Sequence, residues 1–107
     1  MNLVDSCGWL EYLADGRHAG FYVPALDDPR RVLVPTVCLA EVFGKVLDER
    51  GEDGALQAAA AMMQCRVVDL DTTLSLEAAR LGHELKLPLA DSIVLATARS
   101  LQATVWT

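Results

Sequence analysis

The chain has 107 residues, 52% of them hydrophobic and 22% charged, with Asp+Glu 15 against Lys+Arg 9 and a formal net charge of −6. That length suits one domain and is too short for two, and the composition excludes intrinsic disorder. The acidic balance excludes a general nucleic-acid coating protein, whose affinity rests on neutralising phosphates, though not an enzyme that draws nucleic acid in through metal cations.

No apolar run reaches the roughly 18 residues that a membrane helix needs. The start, MNLVDSCGW, has no basic region and carries an early acid, unlike a secretory signal. These features predict a soluble, cytoplasmic domain with no membrane partner.

The elements follow in chain order. NLV, just before Asp5, is short and β-favouring, and predicts a strand. SCGWLEYLADG places Trp9, Tyr12 and Leu13 at helical spacing, with Asp15-Gly16 as a stop and Ser6 as a cap equivalent to Asp5. HAGFYVPALDDPRR reads as a short helix, with Pro24 at its start or at a kink. RVLVP is a second strand, and TVCLAEVFGKVLDERG a helix with Thr36 as N-cap and Gly51 as stop.

EDGALQAAAAMMQ is a further, alanine-rich helix and CRVVDL a third strand. TTLSLEAARLGHELKL puts Leu74, Ala78, Leu81 and Leu85 on one helical face. LPLADSIVLATARSL is another helix, with Pro88 in its first turn, and ATVWT closes as a fourth strand. Strands alternating with helices predict an α/β fold with a parallel sheet covered on both faces. In such sheets ligands collect at the carboxyl ends of the strands.

Cys7, Cys38 and Cys65 are far apart and odd in number, and His18 and His83 supply no zinc spacing. The cysteines read as small buried hydrophobes in a reducing compartment, and the histidines as non-catalytic. Arg17, Arg30, Arg31 and Arg99 read either as scattered solvated charges or as contacts for RNA phosphates or an acidic partner.

Three acids stand out. Asp5 follows the first strand, where it would serve as a helix cap or as a site residue. Glu41 flanks the apolar stripe Leu39, Val42, Phe43 and Val46, and either pairs with Lys45 at i+4 or faces a site. Asp91 shares a helical face with Leu95 and Ala98 in a segment patterned for burial. The helix dipole favours an acid there, and a buried one needs a cation or a donor. All three fall at the same end of their elements. Convergent oxygens without His or Cys suit a hard cation, Mg²⁺ or Mn²⁺, and such a site suits phosphodiester hydrolysis.

VDSCGWLEYL around Asp5, VPTVCLAEVFGKV around Glu41, LPLADSIVLATAR around Asp91 and the terminal ATVWT together resemble the PIN-domain family, in particular its VapC-type toxin ribonucleases of type II toxin–antitoxin systems. The resemblance implies a three-layer α/β/α fold with a central parallel sheet, and a metal-dependent endoribonuclease. Asp5, Glu41 and Asp91 match the family's acids and would bind Mg²⁺ or Mn²⁺, while Ser6 and Thr107 match polar positions that orient water or metal. It further implies an RNA substrate, a homodimer, and a cognate antitoxin that inserts a peptide into the site.

The family pattern continues past the WT strand end to a fourth aspartate, a helix and a strand, so residues 1–107 are expected to form one domain lacking that C-terminal strand and helix. The alternatives are a non-toxin PIN-like nuclease of RNA processing, or a catalytically inert module that binds RNA or protein. A receiver-like phosphoacceptor would need paired acids after the first strand and a lysine at a later strand end, and neither is present.

Overall fold

The structure, a computed structural model, describes residues 1–107. Its strands are β1 (Asn2–Val4), β2 (Val32–Pro35), β3 (Arg66–Val68) and β4 (Thr104–Trp106). Its α-helices are α1 (Ser6–Leu13), α2 (Ala19–Leu26), α3 (Thr36–Met63), α4 (Thr72–Leu85) and α5 (Leu89–Leu101), and a 3₁₀ turn at Pro29–Arg31 leads into β2. No helix is long and apolar enough to cross a membrane.

The four strands form one all-parallel sheet in the order β3-β2-β1-β4, with Leu3 opposite Leu33 on one side and Val105 on the other. This is the expected three-layer α/β/α class. Leu3, Val4, Val32, Leu33 and Val34 are fully buried, as short apolar runs must be when a strand is covered on both faces. The outer strands β3 and β4 are only half-buried, which follows from their place at the edges. Helices α1, α2 and α3 pack on one another around the main core, and α4 pairs with α5 over a smaller one built on Ala78, Leu81, Ile93 and Ala96.

The order of the sheet decides where a site can form. The chain lays down β1, β2 and β3 in one direction, then α4 and α5 carry it back to place β4 on the far side of β1. The crevice between the carboxyl ends of β1 and β4 is therefore the switch point, where doubly wound sheets bind their ligands.

Several local expectations are corrected. Thr36 is the first residue of α3 and Pro35 occupies its cap position, because Pro35 still has extended backbone angles and ends β2. Pro88 likewise caps α5 from outside. Pro24 lies inside α2, so the helix there lacks one backbone N–H. Leu85 is exposed, at the last position of a helix face on which Ala78 and Leu81 are buried. Gly51 does interrupt the long α3 segment: its φ of 81° and ψ of −174° divide it into two helical stretches, a conformation open to glycine and costly for other residues. The cysteines differ in environment, with Cys38 buried, Cys65 half-buried and Cys7 exposed on α1. Arg30 is paired rather than free, bound at 3.1 Å to Asp28, whose carboxyl it holds below the usual range.

Candidate active site

Asp5 follows β1 directly and sits at the N-cap of α1, with extended backbone and its Oδ1 accepting from Gly8 N–H at 2.9 Å. The capping role is thus real, and it falls to Asp5 rather than Ser6. It does not exhaust the carboxylate, whose Oδ2 has no partner in the protein. Asp5 N–H also reaches Trp106 O at 3.5 Å, tying this turn to the end of β4.

Gly8 makes the arrangement possible. A Cβ there would lie 2.5 Å from Val4 Cγ1 and 2.7 Å from Tyr22 Cε1, so only glycine lets the first turn of α1 settle on β1. Tyr22 is buried against this turn, and burial, with the nearby Asp5, Cys7 and Glu11, raises its phenol above the usual value.

Ser6, freed from capping, donates its Oγ–H to Glu41 Oε1 at 2.6 Å. A hydroxyl bond to a carboxylate at that length is of the strong, charge-assisted kind. Lys45 turns instead to Glu49, at 3.2 Å, so of the two alternatives for Glu41 the Lys45 pair is absent, and Glu41 is held by a neighbouring element. Behind this bond lies Cys38, one helical turn before Glu41. Burial pushes its thiol from the ordinary 9.0 up to about 11, against the opposing effect of hydrogen bonding with Ser6. Spacing alone could have flagged Cys38, since i−3 on a helix shares a face with Glu41.

That buried thiol carries a pH dependence. The unfolded chain ionises Cys38 near 9.0, whereas the folded chain keeps the proton to about 11. The stability it contributes is whole below pH 9 and is lost as pH rises through 11, because the unfolded state gives up the proton first. At pH 10.5 the loss is expected to be about 2 kcal/mol, and the raised Tyr22 and Cys65 act in the same direction. Urea midpoints at pH 8 and pH 10.5 measure it. The Cys38→Val variant should lose less stability than the wild type between the two, and an equal loss would show that Cys38 is not responsible.

Asp91 occupies the third position of α5, where the helix dipole favours a negative charge. The expectation that it lies on a buried face is corrected: Asp91 is exposed, and the side chains that α5 buries begin at its neighbours Ser92, Ile93 and Val94. The helix turns its apolar stripe to the sheet and leaves Asp91 at the margin, facing the crevice.

Asp5, Asp91 and Thr107 line one cavity of about 340 Å³ at the switch point, with Leu87, Val94, Leu95 and Val105 completing its wall. Glu41 does not line that cavity. It joins the site through Ser6, the residue next to Asp5. No three Asp, Glu, His or Cys side chains come together as a ready-made metal cage. Nor is any of the three acids in a salt bridge, the ion pairs being Arg30–Asp28, Lys45–Glu49 and Arg80–Glu77. The result is negative charge gathered at one end of the sheet with no cationic side chain in the cavity.

The donor set suits Mg²⁺ or Mn²⁺. Such ions take one or two carboxylates, keep several waters and complete their shell with substrate phosphate, rather than requiring an all-protein cage.

An all-parallel sheet with acids at its switch point defines the class, an α/β domain that places its site at the carboxyl ends of the strands. The PIN domain family model matches residues 3–107, and the chain belongs to that family. Two solved structures share the fold. A toxin–antitoxin complex from Klebsiella pneumoniae is 20% identical with a TM-score of 0.84, covering 100% of this chain and 85% of that one. VapC20 of Mycobacterium tuberculosis, described as a sarcin–ricin loop cleaving toxin, is 21% identical with a TM-score of 0.78, covering 96% of this chain and 85% of that one. No curated protein sequence matches the chain.

Proposed function

We propose that the protein is a metal-dependent endoribonuclease toxin, hydrolysing RNA phosphodiester bonds and neutralised by a cognate antitoxin. The observation that carries this reading is the pairing of Asp5 and Asp91, neither matched by a basic side chain, in the switch-point cavity of a PIN domain. The shared fold with a toxin–antitoxin complex and with VapC20 supports the toxin and antitoxin parts.

In this reading Asp5 and Asp91 are the main ligands of Mg²⁺ or Mn²⁺, and Glu41 is a further ligand or the group that orients water. The cation, when bound, neutralises charge developing on the phosphate and lowers the pKa of water. The chain's own contributions are distinct. Asp5 is fixed by its cap bond, so its free oxygen is presented without rotamer search. Ser6 fixes Glu41 in the same way from across the element boundary. The aliphatic residues Leu87, Val94, Leu95 and Val105 place apolar surface beside the two carboxylates. The protein acts in the cytoplasm, as a homodimer.

Purified protein is expected to cleave structured RNA with Mg²⁺ or Mn²⁺, to stop on chelation with EDTA, and to recover when the metal is restored. Expression in a bacterial host should arrest growth. Cleavage that continues undiminished in EDTA would refute the metal-dependent mechanism, and normal growth with confirmed soluble protein would refute the toxin role.

A further inference from the structure

The first N–H groups of a helix have no acceptor within it, and the opening turn of α1 finds partners outside. Asp5 Oδ1 takes the N–H of Gly8 at 2.9 Å. Ser6 turns to α3 instead. Its hydroxyl donates to Glu41 Oε1 at 2.6 Å, and both its hydroxyl and its backbone N–H hydrogen-bond with the thiol of Cys38. Cys38 is the third residue of α3 and is fully buried in the main core with Leu3 and Val4. Glu41, one turn further along the same helix, is exposed.

Donor and acceptor capacity fixes the direction of this chain of groups. A carboxylate only accepts, a hydroxyl has one proton to give, and a thiol donates and accepts weakly. The single proton of Ser6 Oγ is committed to Glu41, so Oγ can only accept from Cys38. The Sγ–H of Cys38 therefore points at Ser6 Oγ, while Sγ receives the backbone N–H of Ser6. Holding Ser6 at two points selects one of the staggered χ1 wells open to its side chain.

We propose that Cys38 is a positioning residue for Glu41, holding the Ser6 hydroxyl so that the hydroxyl holds the carboxylate. The inference rests on the ribonuclease reading above, in which Glu41 is a ligand or orients water. A long exposed side chain otherwise exchanges among rotamers. Here it is tied to a hydroxyl whose own anchor lies out of reach of water, since Cys38 is 0% exposed. Ser6 directly follows Asp5, so the same chain of groups links the turn that carries Asp5 to the helix that carries Glu41. Cysteine suits the place, because it packs as a small hydrophobe and still keeps one weak donor. Burial pushes the thiol up to about 11, so that donor is present throughout the neutral range.

Two measurements on the full chain test this. The first needs no metal: three-bond Hα–Hβ couplings report χ1 of Ser6 and Glu41 by nuclear magnetic resonance. Wild type and Cys38→Ser, which keeps a donor and an acceptor, are expected to show one rotamer at each residue. Cys38→Val, which keeps the apolar volume and has neither group, should show averaged couplings. The second is a double-mutant cycle in RNA cleavage. Cys38→Val should lower kcat about tenfold with KM unchanged, and Cys38→Ser should stay within about threefold of wild type. In the Ser6→Ala background no hydroxyl is left to hold, so Cys38→Val should change kcat by less than about twofold. Cys38→Ala replaces the valine variant if that one fails to fold.

Single rotamers in Cys38→Val would overturn the proposal. So would a loss in Cys38→Ser as deep as in Cys38→Val, or the full valine loss persisting in the Ser6→Ala background, since either result makes Cys38 core packing alone. Averaged couplings in the Cys38→Val form of a chain that cleaves no RNA would uphold the hold of Cys38 on Ser6 and Glu41, and would overturn the ribonuclease reading instead.

Discussion

Asp5→Asn is expected to fold with wild-type stability, within about 0.5 kcal/mol, yet to lose at least about 100-fold in RNA cleavage. Asparagine ranks with aspartate at N-caps, so its side-chain oxygen can still accept from Gly8 N–H, the bond that Asp5 Oδ1 makes at 2.9 Å. What the variant loses is the negative charge that Asp5 presents to the cavity shared with Asp91. A 100-fold loss corresponds to about 2.7 kcal/mol of transition-state stabilisation. The comparison with Asp5→Ala separates the two roles, since alanine removes the cap as well and should cost about 1 kcal/mol of stability. Urea unfolding, Mn²⁺ binding and cleavage rate, measured on both variants, make the test complete. Full cleavage by Asp5→Asn would end its assignment as a ligand. Asp91→Asn and Glu41→Gln should lower activity in the same direction.

Gly8→Ala is expected to be strongly damaging, lowering stability by about 1–3 kcal/mol. Alanine is the better helix former by about 1 kcal/mol, but the added carbon would meet Val4 Cγ1 at 2.5 Å and Tyr22 Cε1 at 2.7 Å. Val4 is fully buried and Tyr22 nearly so, so neither can move aside without disturbing the core, and packing outweighs propensity. Displacing the first turn of α1 also displaces Asp5 and Ser6, so activity should fall further than stability alone explains. Gly44→Ala supplies the contrast. Nothing lies within 4 Å of a Cβ at that helical position, and the change should stabilise the fold by about 0.5–1 kcal/mol. If both substitutions shift the urea midpoint the same way, the close approach at Gly8 is not what sets its cost.

The strands and helices were legible because their signals are local. Apolar runs such as VLVP can be satisfied only by burial on both faces, and the interruption at Gly51 needs a positive φ that the residue type announces. The positions of the three acids along an alternating α/β chain were legible too, but not that Asp5 and Asp91 alone would share a cavity. Partner choice was not. Glu41 lies four residues from Lys45, and spacing alone offers that pair, yet the structure gives Lys45 to Glu49 and Glu41 to Ser6, 35 positions away. A local rule ranks neighbours on one helix and is blind to what another helix brings.

The burial of Asp91 failed for a related reason. Periodicity says which residues share a face, but the width of the buried stripe depends on how α5 leans on α4 and the sheet, and here the stripe begins at Ser92. Cap identities depended on backbone angles that the fold imposes on Pro35 and Asp5.

By itself, then, the sequence determined the α/β class, the parallel sheet and the acids available for chemistry, because hydrophobic period and residue type act over a few residues. Only the tertiary structure decided that β4 lies beside β1. That placement opens the switch point where Asp5, Asp91 and Thr107 line one cavity, and it depends on contacts between residues about a hundred positions apart, which no local pattern encodes.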